Sequence, residues 1–306
     1  MKNVSVEELK ERAKELRKTA LTMIYEAQSG HPGGALSAAD LVAALYYREL
    51  NINPKEPRWP ERDRFILSKG HACPIQYAAL GRLGYFEESH LHTLRQEGSI
   101  LQGHPDMKKC PGIDISTGSL GQGLSCGVGM ALAAKRRGED YRVFVLTGDG
   151  ELDEGQIWEA VMAASAWKLD NLTMMIDNNR LQLDGPCEQL IPHLNLTQKM
   201  REFGFETYEI DGNDMGEIVE TLDKIKASKT GQLNASMPVP SRERVYPTWK
   251  ISWAGMEWRL TRNSIGLLWK NWKGDCKRWE RTRERRETVL GMRFWRLEKP
   301  TRISMW

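Results

Sequence analysis

The sequence predicts an α/β fold in which a parallel β-sheet is covered by helices on both faces. Two observations carry this prediction. Segments typical of strands and of helices alternate along residues 1–232, and the strand segments "RVFVLT" and "NLTMMID" are continuous apolar runs. Such runs are typical of parallel strands that are buried on both faces. The predicted sheet therefore lies between two helical layers.

The predicted helices follow from capping signals and from the spacing of apolar residues. Ser5 and Glu8 form a capping box, and apolar residues then recur at helical spacing as far as Ala27. This helix is expected to end at "SGHPGG", and a second helix is expected from about Ser37 to Tyr47. Further helices are predicted in "CPIQYAALGRLG", "GQGLSCGVGMALAAKRRG", "QIWEAVMAASAWK" and residues 215–227.

The predicted strands are short, and each leads into a loop. They lie in "DRFILSKGH", "RVFVLT", "NLTMMID" and "ETYEI". The stretches "GDGELDEG" and "NNRLQLDGP" are rich in Gly, Asn and Asp and are predicted to be loops. Strands that alternate with helices in this way are expected to pair in parallel.

Residues 233–306 differ from the rest of the chain. They carry 17 Lys and Arg against 7 Asp and Glu, whereas residues 1–232 carry 27 against 34. Eight of the 11 tryptophans lie from Trp249 onward, and no alternation of strands and helices is visible there. We therefore predict a domain over residues 1–232, followed by an atypical, poorly ordered Trp/Arg-rich tail over residues 233–306.

Composition argues against several classes of protein. The 40% hydrophobic and 28% charged residues are typical of a soluble globular protein, and no apolar run is long enough to span a bilayer. The stretch "MKNVSVEELKERAKELRK" lacks the apolar segment of a secretion signal. The five cysteines include no CxxC pair and are interpreted as free thiols of a reducing cytoplasm. We expect a cytoplasmic protein without a membrane partner.

Oxygen-bearing side chains follow two of the predicted strands. Asp149 lies between Gly148 and Gly150 directly after "RVFVLT", and Asn179 follows "NLTMMID". Ligands of open parallel sheets bind at the carboxyl ends of the strands, and Mg²⁺ prefers oxygen ligands. The pattern favours a magnesium and phosphate site. The alternative is that Gly-Asp-Gly is a tight turn and Asn179 a loop cap.

Three of the six histidines lie in loops that contain Gly or Pro. They are His31 in "SGHPGG", His71 in "SKGHAC" and His104 in "LQGHPD". Together they suggest a polar pocket that binds phosphate or moves protons. The alternative for each is a structural loop histidine. No role is assigned to the remaining histidines, which are His90, His92 and His193.

Five motifs, in order and spacing, resemble the N-terminal half of transketolase. They are "SGHPGG", "LSKGHA", "LQGHPDMKKCPGIDISTGSLGQGLSCGVGMALAAK", "GDGELDEGQIWEA" and "KLDNLTMMIDNNRLQLDG". The match extends over roughly residues 5–230. It is similar to the split form of the family, in which one subunit carries the domain that binds the diphosphate of thiamine diphosphate. Dihydroxyacetone synthase and 1-deoxyxylulose-phosphate synthase are the rivals within the family, and their features fit less well.

The resemblance implies an Mg²⁺ site and a diphosphate site. Asp149, Asn179 and the carbonyl of Leu181 match the metal ligands of the family. Gly150 matches a backbone contact to the diphosphate, and His71 matches a residue that contacts both diphosphate and substrate.

The resemblance also implies residues around the reacting centre. His31 and His104 match histidines that bind the donor sugar and assist proton transfer. Glu154 matches a glutamate at the dimer interface that relays protons between paired cofactor sites. The segment that lines the two rings of the cofactor matches Gly118, Ser119 and Leu120.

The implied reaction transfers a two-carbon ketol unit from a ketose phosphate to an aldose phosphate, as in the pentose phosphate pathway of carbohydrate metabolism. The implied cofactors are thiamine diphosphate and Mg²⁺. A separate C-terminal subunit is expected to supply the pyrimidine-binding domain and the glutamate that activates the aminopyrimidine. We therefore expect an oligomer with two copies of each subunit, and no activity from this chain alone.

The tail lacks the segment with which the family continues. When Ala235–Trp258 is back-translated and read from the third base of each codon, synonymous choices allow "CIHARTVKGKGVSYMENQLGWHGMA", which resembles that segment. We hypothesise a single-base insertion or deletion near Lys229–Leu233. The alternative for the tail is a diverged C-terminal extension.

Two further functional hypotheses remain open. The chain could be an inactive frameshifted or pseudogene product of the same family. The basic, Trp-rich tail could instead bind nucleic acid through phosphate contacts and base stacking. The second hypothesis ranks lower because a frame change explains the tail without selection for binding, so no nucleic-acid partner is expected.

Overall fold

The structure is a computed structural model that describes residues 4–182, 185–193, 195–228 and 233–238. The remaining residues, which include most of the Trp/Arg-rich tail, lie outside this description.

Helices make up much of the described chain. Single turns of 3₁₀ helix lie at Gly70–Ala72 and Gly150–Asp153, and a longer one at Glu88–Thr93. A π-helical turn, Leu45–Glu49, follows the third α-helix. In chain order the α-helices are α1 (Val6–Ala27), α2 (Pro32–Ser37), α3 (Ala39–Ala44), α4 (Cys73–Arg82), α5 (Gln122–Arg137), α6 (Gly155–Ala166), α7 (Cys187–Leu190), α8 (Leu196–Glu202) and α9 (Met215–Ala227).

The strands form a five-stranded parallel sheet and a small hairpin. In chain order they are β1 (Arg64–Leu67), β2 (Val143–Gly148), β3 (Leu172–Asp177), β4 (Leu181–Gln182), β5 (Gly185–Pro186), β6 (Phe205–Ile210) and β7 (Leu233–Pro238). The sheet has the order β1-β2-β3-β7-β6, and each pairing is parallel. β4 and β5 pair antiparallel.

The sheet separates two hydrophobic layers. Ile66, Val145 and Met174 belong to a buried cluster that also includes residues of α5 and α6. Their neighbours along the strands face the other way, and Phe65 packs edge-on against Tyr46 with ring centroids 5.5 Å apart. On that second side α1 packs against α3 and α4. This arrangement confirms the predicted α/β fold with helices on both faces.

Local signals in the sequence explain the best-predicted elements. Ser5 accepts a hydrogen bond from the backbone N–H of Glu8 (3.2 Å), so the predicted cap of α1 is present. The buried residues of α1 include Leu9, Ala13 and Leu16, which recur at helical spacing. Each residue of β2 and β3 is buried, as their continuous apolar sequences predict.

A short helix that was not predicted precedes the predicted second helix. The helix expected from about Ser37 to Tyr47 is present as α3 and the π-helical turn Leu45–Glu49, but α2 already begins at Pro32, inside "SGHPGG". Proline lacks an N–H, and the first helical position needs none, so Pro32 starts a helix here rather than ending one. The predicted loop "GDGELDEG" likewise contains the 3₁₀ turn Gly150–Asp153.

A strand lies where the sequence predicts none. The tail was expected to lack strands from Leu233 onward, yet β7 pairs with β3 on one side and with β6 on the other. Backbone hydrogen bonding depends little on side-chain identity, so an extended segment of atypical composition can occupy this place. The parallel sheet therefore continues past residue 232 to Pro238. The predicted disorder of the tail concerns residues outside the described part.

Candidate functional site

The carboxyl ends of β1, β2 and β3 bring the predicted site residues to one edge of the sheet. His71 follows β1 in the turn Gly70–Ala72, and Asp149 directly follows β2. Asn179 lies two residues after β3, and Gly148 is paired with Asp177 in the β2–β3 register. Parallel pairing thus places the loops after neighbouring strands side by side.

Asp149 is the buried carboxylate of this edge, with a relative exposure of 1%. Its Oδ1 accepts a hydrogen bond from the backbone N–H of Gly150 (2.9 Å), and its Oδ2 accepts one from that of Arg180 (2.5 Å). The Cys187 thiol also lies 3.3 Å from Oδ2. Burial, and then the charge of Asp177, raise the pKa of Asp149 to about 6. The carboxylate therefore lies in surroundings that favour an added positive charge.

The donor set around Asp149 fits Mg²⁺. A carboxylate oxygen, an amide and backbone carbonyls are hard oxygen ligands, and Mg²⁺ usually takes only one or two carboxylates. Among the described residues no group of three or more His, Cys, Asp or Glu side chains could hold a metal. The predicted site consists of Asp149, the Asn179 amide and the Leu181 carbonyl. It contains only one side chain of these four types, so it is not a site of that kind.

The backbone approaches closely beside this carboxylate. A Cβ atom on Gly150 would lie 2.6 Å from Cβ of Gln182, which is in β4 of the small hairpin. The loop after β2 and the hairpin after β3 thus touch where no larger residue would fit. The Gln182 side chain, through its Cβ, Cδ and Oε1 atoms, fills the space beside the Gly150 backbone.

His31 and His71 form an edge-to-face pair. Their ring centroids lie 5.3 Å apart, and their planes meet at 74°. A Cβ on Gly34 would lie 2.9 Å from Nε2 of His71, so glycine lets the turn after His31 approach the ring. Burial, and then the charge of Lys69 and the neighbouring His31 and His104, lower the pKa of His71 to about 3. His71 is therefore neutral at physiological pH.

His104 lies against the loop that precedes α5. A Cβ on Gly118 would lie 2.9 Å from the His104 ring, and Gly118 has a φ of +135°, which favours glycine. A Cβ on Gly70 would in turn lie 2.7 Å from the Gly118 nitrogen. These close approaches join the loops of His71 and His104. Burial, and then Arg95, lower the pKa of the exposed His104.

The remaining predicted residues lie on the same loops. Ser119 is exposed and Leu120 is partly exposed, and both follow Gly118 directly. Glu154 is exposed and occupies the cap position of α6. A Cβ on Gly121 would lie 2.9 Å from Cβ of Glu154, so the segment before α5 contacts the start of α6.

Three buried charged residues near the site, Lys69, Asp177 and Glu151, were not predicted from the sequence. Lys69 is 1% exposed and forms an ion pair with Asp177, which is 2% exposed. Glu151 accepts hydrogen bonds from the backbone N–H groups of Gly121 (2.9 Å) and Gly148 (3.1 Å), and burial raises its pKa. The available signal was a charged residue directly beside an apolar strand, as in "FILSK" and "TMMID".

The other histidines and the cysteines lie outside this arrangement or at its margin. His92 Nδ1 lies 2.8 Å from Glu26 Oε2 on the surface, and His193 Nε2 lies 2.8 Å from Asp153 Oδ1. Within the described chain Cys73, Cys110, Cys126 and Cys187 are free thiols, and Cys276 lies outside the described residues. None of the described helices combines the length and the apolar character needed to cross a membrane.

Comparison with known proteins identifies the family. Residues 9–233 match the family described as transketolase, thiamine diphosphate binding domain. The chain is 45% identical over 222 residues to the 6-deoxy-6-sulfo-D-fructose transketolase subunit SqwG of Clostridium sp., a match that covers 72% of this chain and 81% of that protein. The chain belongs to the transketolase family.

Other transketolases show which part of the family this chain represents. It is 41% identical to an apulose-4-phosphate transketolase subunit of Phocaeicola vulgatus, with 72% of this chain and 79% of that protein covered. It is also 41% identical to human transketolase, but there the match covers 72% of this chain and only 36% of the human protein. The chain thus corresponds to the N-terminal subunit of a split transketolase, whereas the much longer human enzyme is matched over a shared domain alone.

Solved transketolases share the fold. The Campylobacter jejuni enzyme superposes with a TM-score of 0.71 at 35% identity, covering 77% of this chain and 38% of that one. An R525L variant of Pichia stipitis transketolase gives a TM-score of 0.78 at 30% identity, covering 89% and 41%. The predicted family, its thiamine diphosphate-binding domain and its transferase class are thereby confirmed.

Proposed function

We propose that this transketolase subunit uses thiamine diphosphate and Mg²⁺ to transfer a two-carbon ketol unit from a ketose phosphate to an aldose phosphate. The observation that carries the proposal is the buried Asp149 at a sheet edge where three histidine-bearing loops meet. Family membership supplies the cofactor class, and this edge is where a parallel sheet binds ligands.

Asp149, the Asn179 amide and the Leu181 carbonyl would hold Mg²⁺. The metal would offset the burial and the nearby negative charge of Asp177, which together raise the pKa of Asp149, and it would anchor the diphosphate. Gly150 would contact the diphosphate through its backbone, with the Gln182 side chain packed beside it. The thiazolium of bound thiamine diphosphate supplies the electron sink for the carbon chemistry.

His31, His71 and His104 would contact the sugar and the diphosphate. Because the pKa of His71 is lowered to about 3, its ring is neutral and can both donate and accept a hydrogen bond. His104 is exposed, and its pKa is also lowered, so it can accept or release a proton at the surface of the site. Gly118, Ser119 and Leu120 would line the rings of the cofactor.

A C-terminal subunit would complete the active site. The relatives of matching length are named as subunits, which favours a separate partner chain. That partner would supply the pyrimidine-binding domain and the activating glutamate, in an assembly of two copies of each subunit. Glu154 would lie at the interface between paired sites. We place this assembly in the cytoplasm and its substrates among the sugar phosphates of carbohydrate metabolism.

Reconstitution tests this function. The full chain is mixed with a cognate C-terminal subunit, thiamine diphosphate and Mg²⁺, and ketol transfer between sugar phosphates is followed by product analysis. Transfer that depends on both chains and on both cofactors is the expected result. A matched mixture with D170N, which alters an exposed carboxylate paired with Lys135, should behave as the unchanged chain does. Lack of transfer by a well-folded complex contradicts the proposal.

An inactive frameshifted product is the second candidate. It is favoured by the abrupt change in composition at residue 233 and by the family-like peptide in another reading frame of Ala235–Trp258. Resequencing the gene decides between them. Codons that cannot encode the alternative peptide exclude a frame change, whereas compatible codons, with activity gained only after frame repair, identify this chain as defective.

A further inference from the structure

The Lys69 ammonium has no donor left for a ligand. Lys69 lies between β1 and the turn that carries His71, and it is 1% exposed. Its ammonium donates hydrogen bonds to Asp177 Oδ2, to the Gly34 carbonyl (3.0 Å) and to Ser37 Oγ (3.3 Å). An ammonium has three donors, and each has a partner here. Any role of Lys69 in the site must therefore be exerted through these partners.

The partners of Lys69 lie on the segments that carry the predicted ligand groups. Gly34 belongs to α2, which begins directly after His31. Asp177 ends β3, two residues before Asn179, and its carbonyl accepts a hydrogen bond from the backbone N–H of Asp149 (3.2 Å). One ammonium thus connects the turn after His31 to the ends of β2 and β3.

Stability alone does not account for a buried ion pair of this kind. Removing two charges from water has a desolvation cost that their attraction often only offsets, and an apolar pair of similar volume frequently serves a fold as well. What the pair does provide is a fixed geometry between segments that are distant in sequence. The donor geometry of the ammonium and the second hydrogen bond from Ser37 to Asp177 (2.5 Å) make that geometry specific.

We propose that Lys69 is the positioning residue of the cofactor site, holding the turn after His31 at a fixed place relative to Asp149 and Asn179. The inference rests on the proposed function, since it concerns the same Mg²⁺ and diphosphate site. It adds the requirement that the buried contacts of Lys69 be intact, although Lys69 is neither a predicted ligand nor one of the histidines. Loss of this contact should weaken the binding of magnesium diphosphate more than it weakens the fold.

The variants are K69M, which removes the ammonium, and K69M/D177N, which removes both charges of the pair. K69M leaves the Asp177 carboxylate buried without its cation, so the double variant is the principal test. The matched control is R17M/D40N, which removes a buried ion pair between α1 and α3 that contacts none of the predicted ligand residues. S37A, which leaves no charge unpaired, is the variant for use if K69M/D177N does not fold.

The measurements use the full chain mixed with its C-terminal subunit and two probes, which are Mg²⁺ with inorganic pyrophosphate and Mg²⁺ with thiamine diphosphate. Calorimetry gives the affinities, and urea unfolding gives the stability of each variant. Partners that orient a metal ligand typically change metal affinity by about 10–100-fold, so K69M/D177N should bind both probes at least about tenfold more weakly. R17M/D40N should bind both probes with the affinity of the unchanged chain, even if its free energy of unfolding is lower.

The outcomes separate this inference from the proposed function. If the unchanged complex binds both probes and K69M/D177N binds them equally well, Lys69 has no positioning role. Equal binding by S37A, where it is used instead, shows that the contacts of Ser37 with Lys69 and Asp177 do not position the site, and it overturns the inference in that form. If R17M/D40N loses as much affinity as K69M/D177N, the effect is one of stability and the inference is also overturned. If the unchanged chain in complex with its C-terminal subunit binds neither probe, the proposed function fails, and this inference fails with it.

Discussion

The two ends of the parallel sheet differ in whether their buried carboxylates are paired with cations. At the amino end Glu49 and Asp63 are 3% and 4% exposed, and Arg142 forms ion pairs with both. At the carboxyl end three carboxylates are 1–2% exposed, and one of them has a cation among the described ion pairs, which is Asp177 with Lys69. Those three carboxylates belong to Asp149, Glu151 and Asp177.

This difference separates stability from function within one sheet. At the amino end each carboxylate has a cation, so the fold depends on that cation being kept, since breaking a buried pair leaves an uncompensated charge. At the carboxyl end burial raises the pKa of both Asp149 and Glu151, so negative charge is held there at a disadvantage. A bound cation would remove that disadvantage, which is why the predicted Mg²⁺ site lies at this end.

The largest expected effect is on stability at the amino end. R142M would leave Glu49 and Asp63 buried without the guanidinium, and breaking a buried ion pair of this type destabilises by about 3–5 kcal/mol. Urea unfolding at pH 7 measures the change. A loss below about 1 kcal/mol would show that the nearby Arg48 and Lys226, both within 4 Å of Glu49, are sufficient cations.

The next effect concerns ligand binding at the carboxyl end. D149N removes a buried charge, but its single amide oxygen can accept from only one of the Gly150 and Arg180 N–H groups, so the metal-free chain should lose about 1–3 kcal/mol of stability. Its affinity for Mg²⁺ with thiamine diphosphate should fall by about 100-fold or more, since even the partners of a ligand contribute about 10–100-fold. Calorimetry on the full chain measures this affinity, with D170N as the control. Unchanged affinity would remove Asp149 from the metal site.

A pH effect of intermediate size is expected from His71. Its pKa in the folded chain is about 3, below the ordinary value of 6.5, so the unfolded chain binds the proton first. The stability that depends on neutral His71 is complete above pH 6.5 and is lost as the pH falls from 6.5 towards 3. At pH 5 the loss amounts to up to about 2 kcal/mol.

The variant H71N isolates this contribution. Because asparagine does not titrate, H71N should lose less stability than the unchanged chain between pH 7 and pH 5. Thermal unfolding at both pH values measures the difference, and H92N, at an exposed histidine, is the control. Equal pH dependence in H71N and the unchanged chain would show that His71 is accessible to protons in the folded state.

The smallest effect is expected on the surface of α1. Lys14 pairs with Glu11 at 3.2 Å, and both side chains are exposed. K14M should therefore change the free energy of unfolding by no more than about 0.5 kcal/mol, because exposed pairs at this helical spacing contribute little. Urea unfolding of K14M and R142M under the same conditions measures the smallest and the largest expected change in stability. A change as large as that of R142M would contradict the distinction between buried and exposed pairs.

The sequence predicted the elements whose signals are local. The cap and apolar spacing of α1, and the apolar runs of β2 and β3, are properties of consecutive residues. α2 was missed because Pro32 was interpreted as a stop, whereas its effect depends on its position in the helix. β7 was missed because its place is set by the open edges of β3 and β6 and not by an apolar run of its own.

The same division holds for the site. Asp149 and Asn179 could be placed at the same end of the sheet because each follows an apolar strand and the carboxyl ends of parallel strands lie side by side, and their role as metal ligands stays a prediction. The pair Lys69–Asp177 joins residues 108 positions apart, and no local pattern indicates such a contact. Lys69 could be placed only once the register of β1, β2 and β3 was known.

The position of β7 has a consequence for how the chain is made. β6 leaves the ribosome before β7, yet β7 lies between β6 and the first three strands. Until residue 238 has been synthesised, β6 and α9 have no strand through which to join the sheet. The sheet is therefore completed only after β7 has been synthesised. Until then the edges of β3 and β6 that pair with β7 are unpaired. A change of reading frame near residue 233 would alter the sequence of this interior strand, on which the joining of β6 to the sheet depends.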